Sequence, residues 1–208
     1  MIQPFPDRKY GAIYADPPWN FETRNAKAAG RSPSAHYDCM TFADIAKLPV
    51  ADIAAKDCAL FLWAMDPMLD KALEVIQAWG FTYKTVGFYW VKTNKNNGDY
   101  FTGMGHWTRS NPEQCLLATR GRPKRIEKSV RKLIVDKRRE HSRKPDEVRN
   151  RIERLVGGPY IELFARAAAP GWDAWGNQAS LFDNGSVETR RVTSSGAMLS
   201  PRVGERVN

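Results

Sequence analysis

Apolar and polar positions along the chain form short blocks, and their lengths and spacing predict a mixture of strands and helices. Apolar blocks without helical spacing are typical of strands, particularly where β-branched or aromatic residues are frequent. The predicted strands cover residues 11–15, 59–64, 81–92, 113–119, 133–135 and 160–165. Segments with apolar residues on one helical face are the predicted helices, at residues 41–48, 66–79 and 145–155.

The order of these elements predicts an α/β fold. Residues 59–64 are apolar throughout, as expected of a central strand that is covered on both faces. Asp66 and Pro67 then begin a helix, and Gly80 ends it before the next strand. Because strand, helix and strand follow one another, we expect a parallel sheet.

The first strand runs into Asp16-Pro17-Pro18-Trp19, the most informative motif in the chain. Two prolines fix φ and donate no N–H, so the turn presents carbonyl oxygens and the Asp16 carboxylate as acceptors. The exocyclic amine of an extruded nucleobase has two N–H groups to donate, and an indole offers it a stacking face worth roughly 1–3 kcal/mol. Asp-Pro-Pro alone is equally consistent with a structural turn, but the complete motif after a strand is more specific.

Positive charge is concentrated in one part of the chain. The net charge is +9, and residues 120–154 contain 15 Lys and Arg against 6 Asp and Glu, an excess equal to that of the whole chain. Such a segment beside a base-binding turn indicates a polyanionic partner. A solvated helix face is the alternative explanation.

Length and composition limit the protein class. We expect one domain at residues 1–182 and a flexible tail at 183–208, where Ser, Gly, Thr, Arg and Val occur without periodicity. No apolar run is long enough to span a membrane and no signal-peptide pattern is present, so a cytoplasmic protein is expected. The widely spaced Cys39, Cys58 and Cys115 contain no CxxC pair; we predict small buried residues and no metal site.

Further motifs occur in one order between residues 9 and 178. They are Ala15-Asp16-Pro17-Pro18-Trp19, His36-Tyr37, Leu60-Phe61-Leu62-Trp63, Trp90-Val91-Lys92-Thr93-Asn94, Thr102-Gly103-Met104-Gly105-His106-Trp107, Glu113-Gln114-Cys115-Leu116, His141-Ser142-Arg143-Lys144-Pro145-Asp146-Glu147, Ile152-Glu153-Arg154-Leu155, Ile161-Glu162-Leu163-Phe164-Ala165-Arg166 and Gly176-Asn177-Gln178. With this set the chain resembles the MT-A70 family, whose members use S-adenosylmethionine to methylate the N6 amine of adenine.

The resemblance implies a Rossmann-like S-adenosylmethionine-dependent methyltransferase fold with a permuted motif order. The catalytic motif precedes the cofactor strand at residues 161–166, which agrees with the absence of G-x-G-x-x-G after the first strand. The chain lacks the long N-terminal extensions of eukaryotic members, which favours a compact bacterial or phage-type enzyme. DNA is the expected substrate, with RNA as the alternative, and the resemblance also allows a homodimer or a partner subunit.

The resemblance further implies roles for matching residues. Asp16 and the Pro17 carbonyl would hold the target amine beside Pro18, and Trp19 would stack on the base. The implied substrate-binding positions are Tyr37, Trp63, Lys92, Asn94, His106 and Glu113. The implied cofactor-binding positions are Asp16, Lys144, Glu162, Phe164, Arg166, Asn177 and Gln178. The basic segment adds candidate phosphate contacts at Arg122, Lys124, Arg125, Arg131, Lys132, Lys137, Arg138, Arg139 and Arg143.

Several alternatives stay open at this level. Glu113 and Glu162 are each equally explained as carboxylates that are satisfied by hydrogen bonds in the core. The run from Ala167 to Ala169 lacks the polar ribose contacts of some relatives, which leaves more of the ribose binding to Arg166, Asn177 and Gln178. Methylation of the cytosine N4 amine and a catalytically silent nucleic-acid-binding subunit are the competing functions.

Overall fold

A computed structural model of the protein describes residues 3–19, 40–105, 107–139 and 143–176. The strands are β1 (Tyr10–Ala15), β2 (Ala54–Ala64), β3 (Thr82–Thr93), β4 (Glu113–Arg120), β5 (Leu133–Lys137), β6 (Tyr160–Leu163) and β7 (Trp172–Trp175). The helices are α1 (Phe42–Ala46), α2 (Leu69–Ala78) and α3 (Glu147–Leu155), with 3-10 turns at Val50–Asp52 and Asp66–Met68. The six predicted strands and three predicted helices are confirmed.

The seven strands form one sheet in the order β5-β3-β4-β2-β1-β6-β7. Every neighbouring pair is parallel except those of β4, which runs antiparallel to both β2 and β3. The prediction of a parallel sheet is therefore wrong for β4. This strand directly follows β3 in the chain and pairs with it, so it runs back in the opposite direction between β3 and β2. The short edge strand β7 was not predicted, since its four residues carry too little pattern.

Helices cover both faces of the sheet. Ile13 and Leu60 belong to a core that includes Val75 of α2, whereas Phe61 belongs to a second core with Ile152 of α3. Adjacent residues of a strand thus point to opposite layers, as the two-residue period of a strand requires. Burial on both faces explains why β1 and residues 58–64 of β2 are apolar without alternation.

The topology brings several chain segments to one edge of the sheet. Parallel strands β1 and β6 end there, which places Asp16 and Phe164 at this edge. Because β4 is antiparallel, its first residue, Glu113, lies at the same edge. Open α/β sheets bind ligands outside the carboxyl ends of their strands.

The cap of α1 and the burial of two cysteines agree with the sequence predictions. Thr41 caps α1, since its side-chain oxygen accepts a hydrogen bond from the Asp44 N–H at 3.1 Å. Cys58 and Cys115 are buried as predicted, whereas Cys39 and the expected tail at residues 183–208 lie outside the described residues. Among the described helices, none is long and apolar enough to cross a membrane.

We predict that Gly11→Ala destabilises the protein. A Cβ at Gly11 would lie 2.7 Å from the Gly157 carbonyl oxygen and 2.8 Å from that of Gly158, so the backbone must shift. The free energy of unfolding should fall by about 1–3 kcal/mol, measured by urea unfolding. Gly157→Ala is the matched control, because its nearest contact, the Ile126 Cδ1, is 4.0 Å away. Equal midpoints for the two variants would contradict this explanation.

Candidate active site

A cluster of alternating charges occupies the edge where β1 ends and β4 begins. The Lys144 Nζ donates hydrogen bonds to Asp16 Oδ1 at 2.9 Å and Oδ2 at 2.8 Å. It also lies 3.3 Å from Glu113 Oε2, while the Lys92 ammonium binds the other Glu113 oxygen. The Lys144 side chain is only 11% exposed. The structure thus brings together four predicted site residues from distant parts of the sequence.

The cluster holds Lys144 and Glu113 in their charged forms. Burial lowers the pKa of Lys144, but the Asp16 and Glu113 carboxylates outweigh this effect and raise it above its ordinary value. Burial raises the pKa of Glu113, but the Lys144 and Lys92 ammonium groups outweigh this effect and lower it. Both groups are consequently ionised at neutral pH. Glu113 is therefore an ion-paired carboxylate and also a residue of the candidate site.

Aromatic side chains form a rigid wall behind the cluster. The Trp63 Nε1 donates to the Tyr14 hydroxyl at 2.7 Å, and the Trp63 carbonyl accepts from the Trp19 Nε1 at 3.0 Å. The Lys144 Nζ lies 5.2 Å from the centre of the Trp63 ring, within cation–π range. Because Trp19 and Trp63 are 4% and 2% exposed, neither presents an open face to a base in this structure. Their substrate contacts stay predictions.

The turn after Asp16 is held by backbone hydrogen bonds. The Pro17 carbonyl accepts from the Trp19 N–H at 2.8 Å, and the Pro18 carbonyl accepts from the Met40 N–H at 3.2 Å. A carbonyl oxygen has two lone pairs, so the Pro17 oxygen retains capacity for one further donor. The turn thus keeps the acceptor that the sequence assigned to it.

A cleft of about 400 Å³, counted with the space open to solvent, lies beside this turn. It is lined by Tyr14, Asp16, Arg143, Lys144, Pro145, Arg149, Glu162, Phe164, Arg166 and Ala167. Arg149 Nη1 donates to Glu162 Oε2 at 2.7 Å, although burial still raises the pKa of Glu162. Glu162 is therefore both a paired carboxylate and a residue of the cleft.

The cleft contains an unusual backbone conformation at Phe164. Its φ of 60° is rare for a bulky residue, because the side chain crowds the following carbonyl. Gly176 packs against it, and a Cβ there would lie 2.9 Å from the Phe164 Cα. The Ala165 N–H also donates to the Trp175 carbonyl at 3.0 Å, which holds the segment in place. Backbone strain of this kind is concentrated at ligand sites.

Three polar residues of this region were missed by sequence reasoning: Tyr14, Asp146 and Arg149. Asp146 pairs with Arg139, with Arg143 at 3.2 Å and with Arg149, and these cations hold its pKa below the ordinary value although burial opposes them. The spacing of three residues between Asp146 and Arg149 at the start of a helix was the available signal.

The predicted phosphate contacts divide into two groups. Arg139 and Arg143 are half-buried in ion pairs with Asp146, and Arg143 lines the cleft. The exposed members are Arg122, Lys124, Arg125, Arg131, Lys132, Lys137 and Arg138. The exposed members form the larger part of the predicted basic surface.

The remaining predicted site residues lie apart from the charge cluster or outside the described part of the chain. Asn94 follows β3 and is half-buried, and its N–H donates to the Asp99 carbonyl at 2.8 Å. Tyr37, His106, Asn177 and Gln178 lie outside the described residues.

We predict that Lys144→Met raises the pKa of Glu113, because the variant removes the cation that lowers this pKa most. Folded Glu113 binds its proton more weakly than unfolded glutamate, so its stabilising contribution is complete above the unfolded pKa and is lost as pH falls through the folded pKa. The variant should lose part of this contribution. Carboxyl ¹³C NMR titration measures the shift, and Lys132→Met on the exposed surface is the control. An unchanged Glu113 pKa would contradict the pairing.

Comparison with known proteins identifies the family of this chain. The MT-A70 family profile matches residues 10–178. The chain is 34% identical over 189 residues to Type II methyltransferase M.MunI from Mycoplasma sp, covering 82% of this chain and 78% of that protein. It is 33% and 31% identical to METTL3 from Danio rerio and Homo sapiens, the N(6)-adenosine-methyltransferase subunit and catalytic subunit, again over 82% of this chain but spanning only 28% of their length. The chain therefore belongs to the MT-A70 family of adenine-N6 methyltransferases.

Proposed function

We propose that this protein transfers a methyl group from S-adenosylmethionine to the N6 amine of adenine in nucleic acid, with DNA preferred over RNA. The observation that carries the proposal is the Asp16 carboxylate, which Lys144 holds at the carboxyl end of β1 beside a charged cleft. Family membership supports the reaction type.

Asp16 and the Pro17 carbonyl supply acceptors suited to an amine. An ionised carboxylate has about four lone-pair positions, so Asp16 can bind Lys144 and still accept an amine N–H. Hydrogen bonds from both N–H groups draw the amine nitrogen toward tetrahedral geometry, which makes its lone pair available. These residues act by positioning and by preorganised electrostatics, and Asp16 need not be a strong base because the methylated ammonium is acidic.

The cleft has the chemistry to hold S-adenosylmethionine, which carries charges of both signs. Glu162 and Asp16 offer acceptors to its cationic groups, whereas Arg166 and Lys144 offer donors to its carboxylate. The close approach of backbone at Phe164 and Gly176 forms one wall. When bound, the cofactor supplies an electrophilic methyl group. By resemblance, Asn177 and Gln178 would complete the binding of its nucleoside part.

The relatives support DNA over RNA as the proposed substrate. M.MunI, which aligns over most of both chains, is named a type II methyltransferase, whereas the METTL3 relatives named for adenosine extend well beyond this chain. The exposed Lys and Arg of residues 122–138 suit the phosphates of either polymer, since phosphate contacts carry little base information.

Labelled methyl transfer to matched DNA and RNA, each single- and double-stranded, tests the proposal. Nucleoside chromatography should show N6-methyladenine, with more product in DNA. Product in RNA alone would reverse the order of the polymers, and N4-methylcytosine would overturn the assigned base. Absence of cofactor binding would support the silent-subunit hypothesis instead.

We predict that Asp16→Ala lowers methyl transfer by at least about 100-fold, because the amine loses its charged acceptor. Isothermal titration should still detect S-adenosylmethionine binding, since the rest of the cleft is retained. Asp70→Ala, an exposed change in the first turn of α2, is the control and should keep full activity. Substantial turnover by Asp16→Ala would refute the assigned role.

A further inference from the structure

The described residues between β3 and β4, 94–105 and 107–112, extend the hydrogen bonding of the sheet. The Asn111 side chain holds the extension together where it leaves the sheet. Its Oδ1 accepts from the Lys92 N–H at 3.0 Å, and its Nδ2 donates to the Lys92 carbonyl at 2.9 Å and to the Phe101 carbonyl. Further out, the Gly103 N–H donates to the Ser110 carbonyl at 2.8 Å. The two arms of this extension thus remain paired beyond the sheet.

Large apolar side chains of this extension are exposed. Trp107 is 99% exposed, Tyr100 is 70% exposed and Met104 is 58% exposed. Full exposure of a tryptophan leaves its apolar area in water, and several exposed apolar side chains on one segment indicate an interaction site.

The backbone at the outer end of this extension has an unusual conformation. Trp107 has φ of 70°, which is rare for a bulky residue. The chain approaches itself so closely that a Cβ at Gly105 would lie 1.9 Å from the Thr108 carbonyl oxygen. The turn therefore requires glycine at position 105. The exposed Trp107 indole is carried by a backbone conformation that is unfavourable for tryptophan.

Both ends of the extension lead into the charge cluster of the candidate active site. Lys92 precedes it and Glu113 follows it, and these two residues are ion-paired beside Lys144. The flank is basic: the Arg138 guanidinium lies 3.8 Å from the centre of the Phe101 ring, and Lys137 is exposed next to it. The exposed rings of Tyr100 and Trp107 share this segment with the exposed Arg109. Aromatic rings among Lys and Arg are the pattern of a nucleic-acid stacking surface, whereas charged residues are depleted at the centre of protein interfaces.

We propose that Trp107 stacks on a nucleobase of the DNA substrate next to the adenine that enters the site, an inference that rests on the proposed function. An extruded base leaves its neighbours without a stacking partner. The indole supplies that partner, while the basic flank binds the adjoining phosphates. The contact contributes to substrate binding and leaves cofactor binding unchanged.

Fluorescence anisotropy of the full chain with single-stranded (dA)20 and with an abasic 20-mer tests this contact. Trp107→Asn removes the ring but tolerates positive φ, so the turn is retained. We expect it to weaken (dA)20 binding roughly 5- to 100-fold and to leave abasic binding unchanged. Trp107→Phe should recover most of the loss. Tyr83→Ala, an exposed aromatic residue near the start of β3, is the control.

Each other outcome overturns the proposal. Unchanged (dA)20 binding by Trp107→Asn, or equal loss on the abasic oligomer, would exclude base stacking. A change in oligomeric state by size-exclusion chromatography would show that the residue serves a protein interface. Methyl transfer by the wild-type protein is measured on the same preparation, so failure of the proposed function is recognised separately from failure of this contact.

Discussion

The contact between the Lys144 ammonium and the Asp16 carboxylate is the interaction on which the candidate active site depends. A charge removed from water is costly unless it is paired, and here one buried cation meets the carboxylates of Asp16 and Glu113. This contact joins the end of β1, the start of β4 and the segment before α3. Loss of Lys144 would remove the cation that Asp16 binds, so the position of Asp16 is tied to the pairing of distant elements.

The antiparallel strand β4 makes this pairing possible. If β4 ran with its neighbours, Glu113 would lie at the opposite edge of the sheet, away from Lys144. The same edge carries the Arg149–Glu162 pair at the end of β6. Charges of both signs therefore line one cleft, which suits a ligand that itself carries both signs.

The proposed function divides between two kinds of surface around this edge. In that proposal the cleft and the Asp16 turn provide the chemistry, and hydrogen bonds of the buried indoles of Trp19 and Trp63 hold the wall behind them. The exposed basic residues and the aromatic extension after β3 would provide area for a polymer. Arg139 and Arg143 are held by Asp146, although they belong to the basic segment in sequence. Ion pairing, rather than composition, decides which cations remain exposed to a phosphate backbone.

The sequence by itself determined six of the seven strands, the three helices and the chemical character of the Asp16 turn. Local spacing carries that information, since helical and strand periods and proline constraints act over a few residues. Tertiary structure decided which residues meet: Lys144 reaches a carboxylate 128 positions earlier, and Glu162 finds Arg149. Tertiary structure also buried Trp19 and Trp63 and made β4 antiparallel to its two neighbours. Those outcomes depend on long-range pairing of strands and on the cost of unpaired buried charges, which no local pattern records.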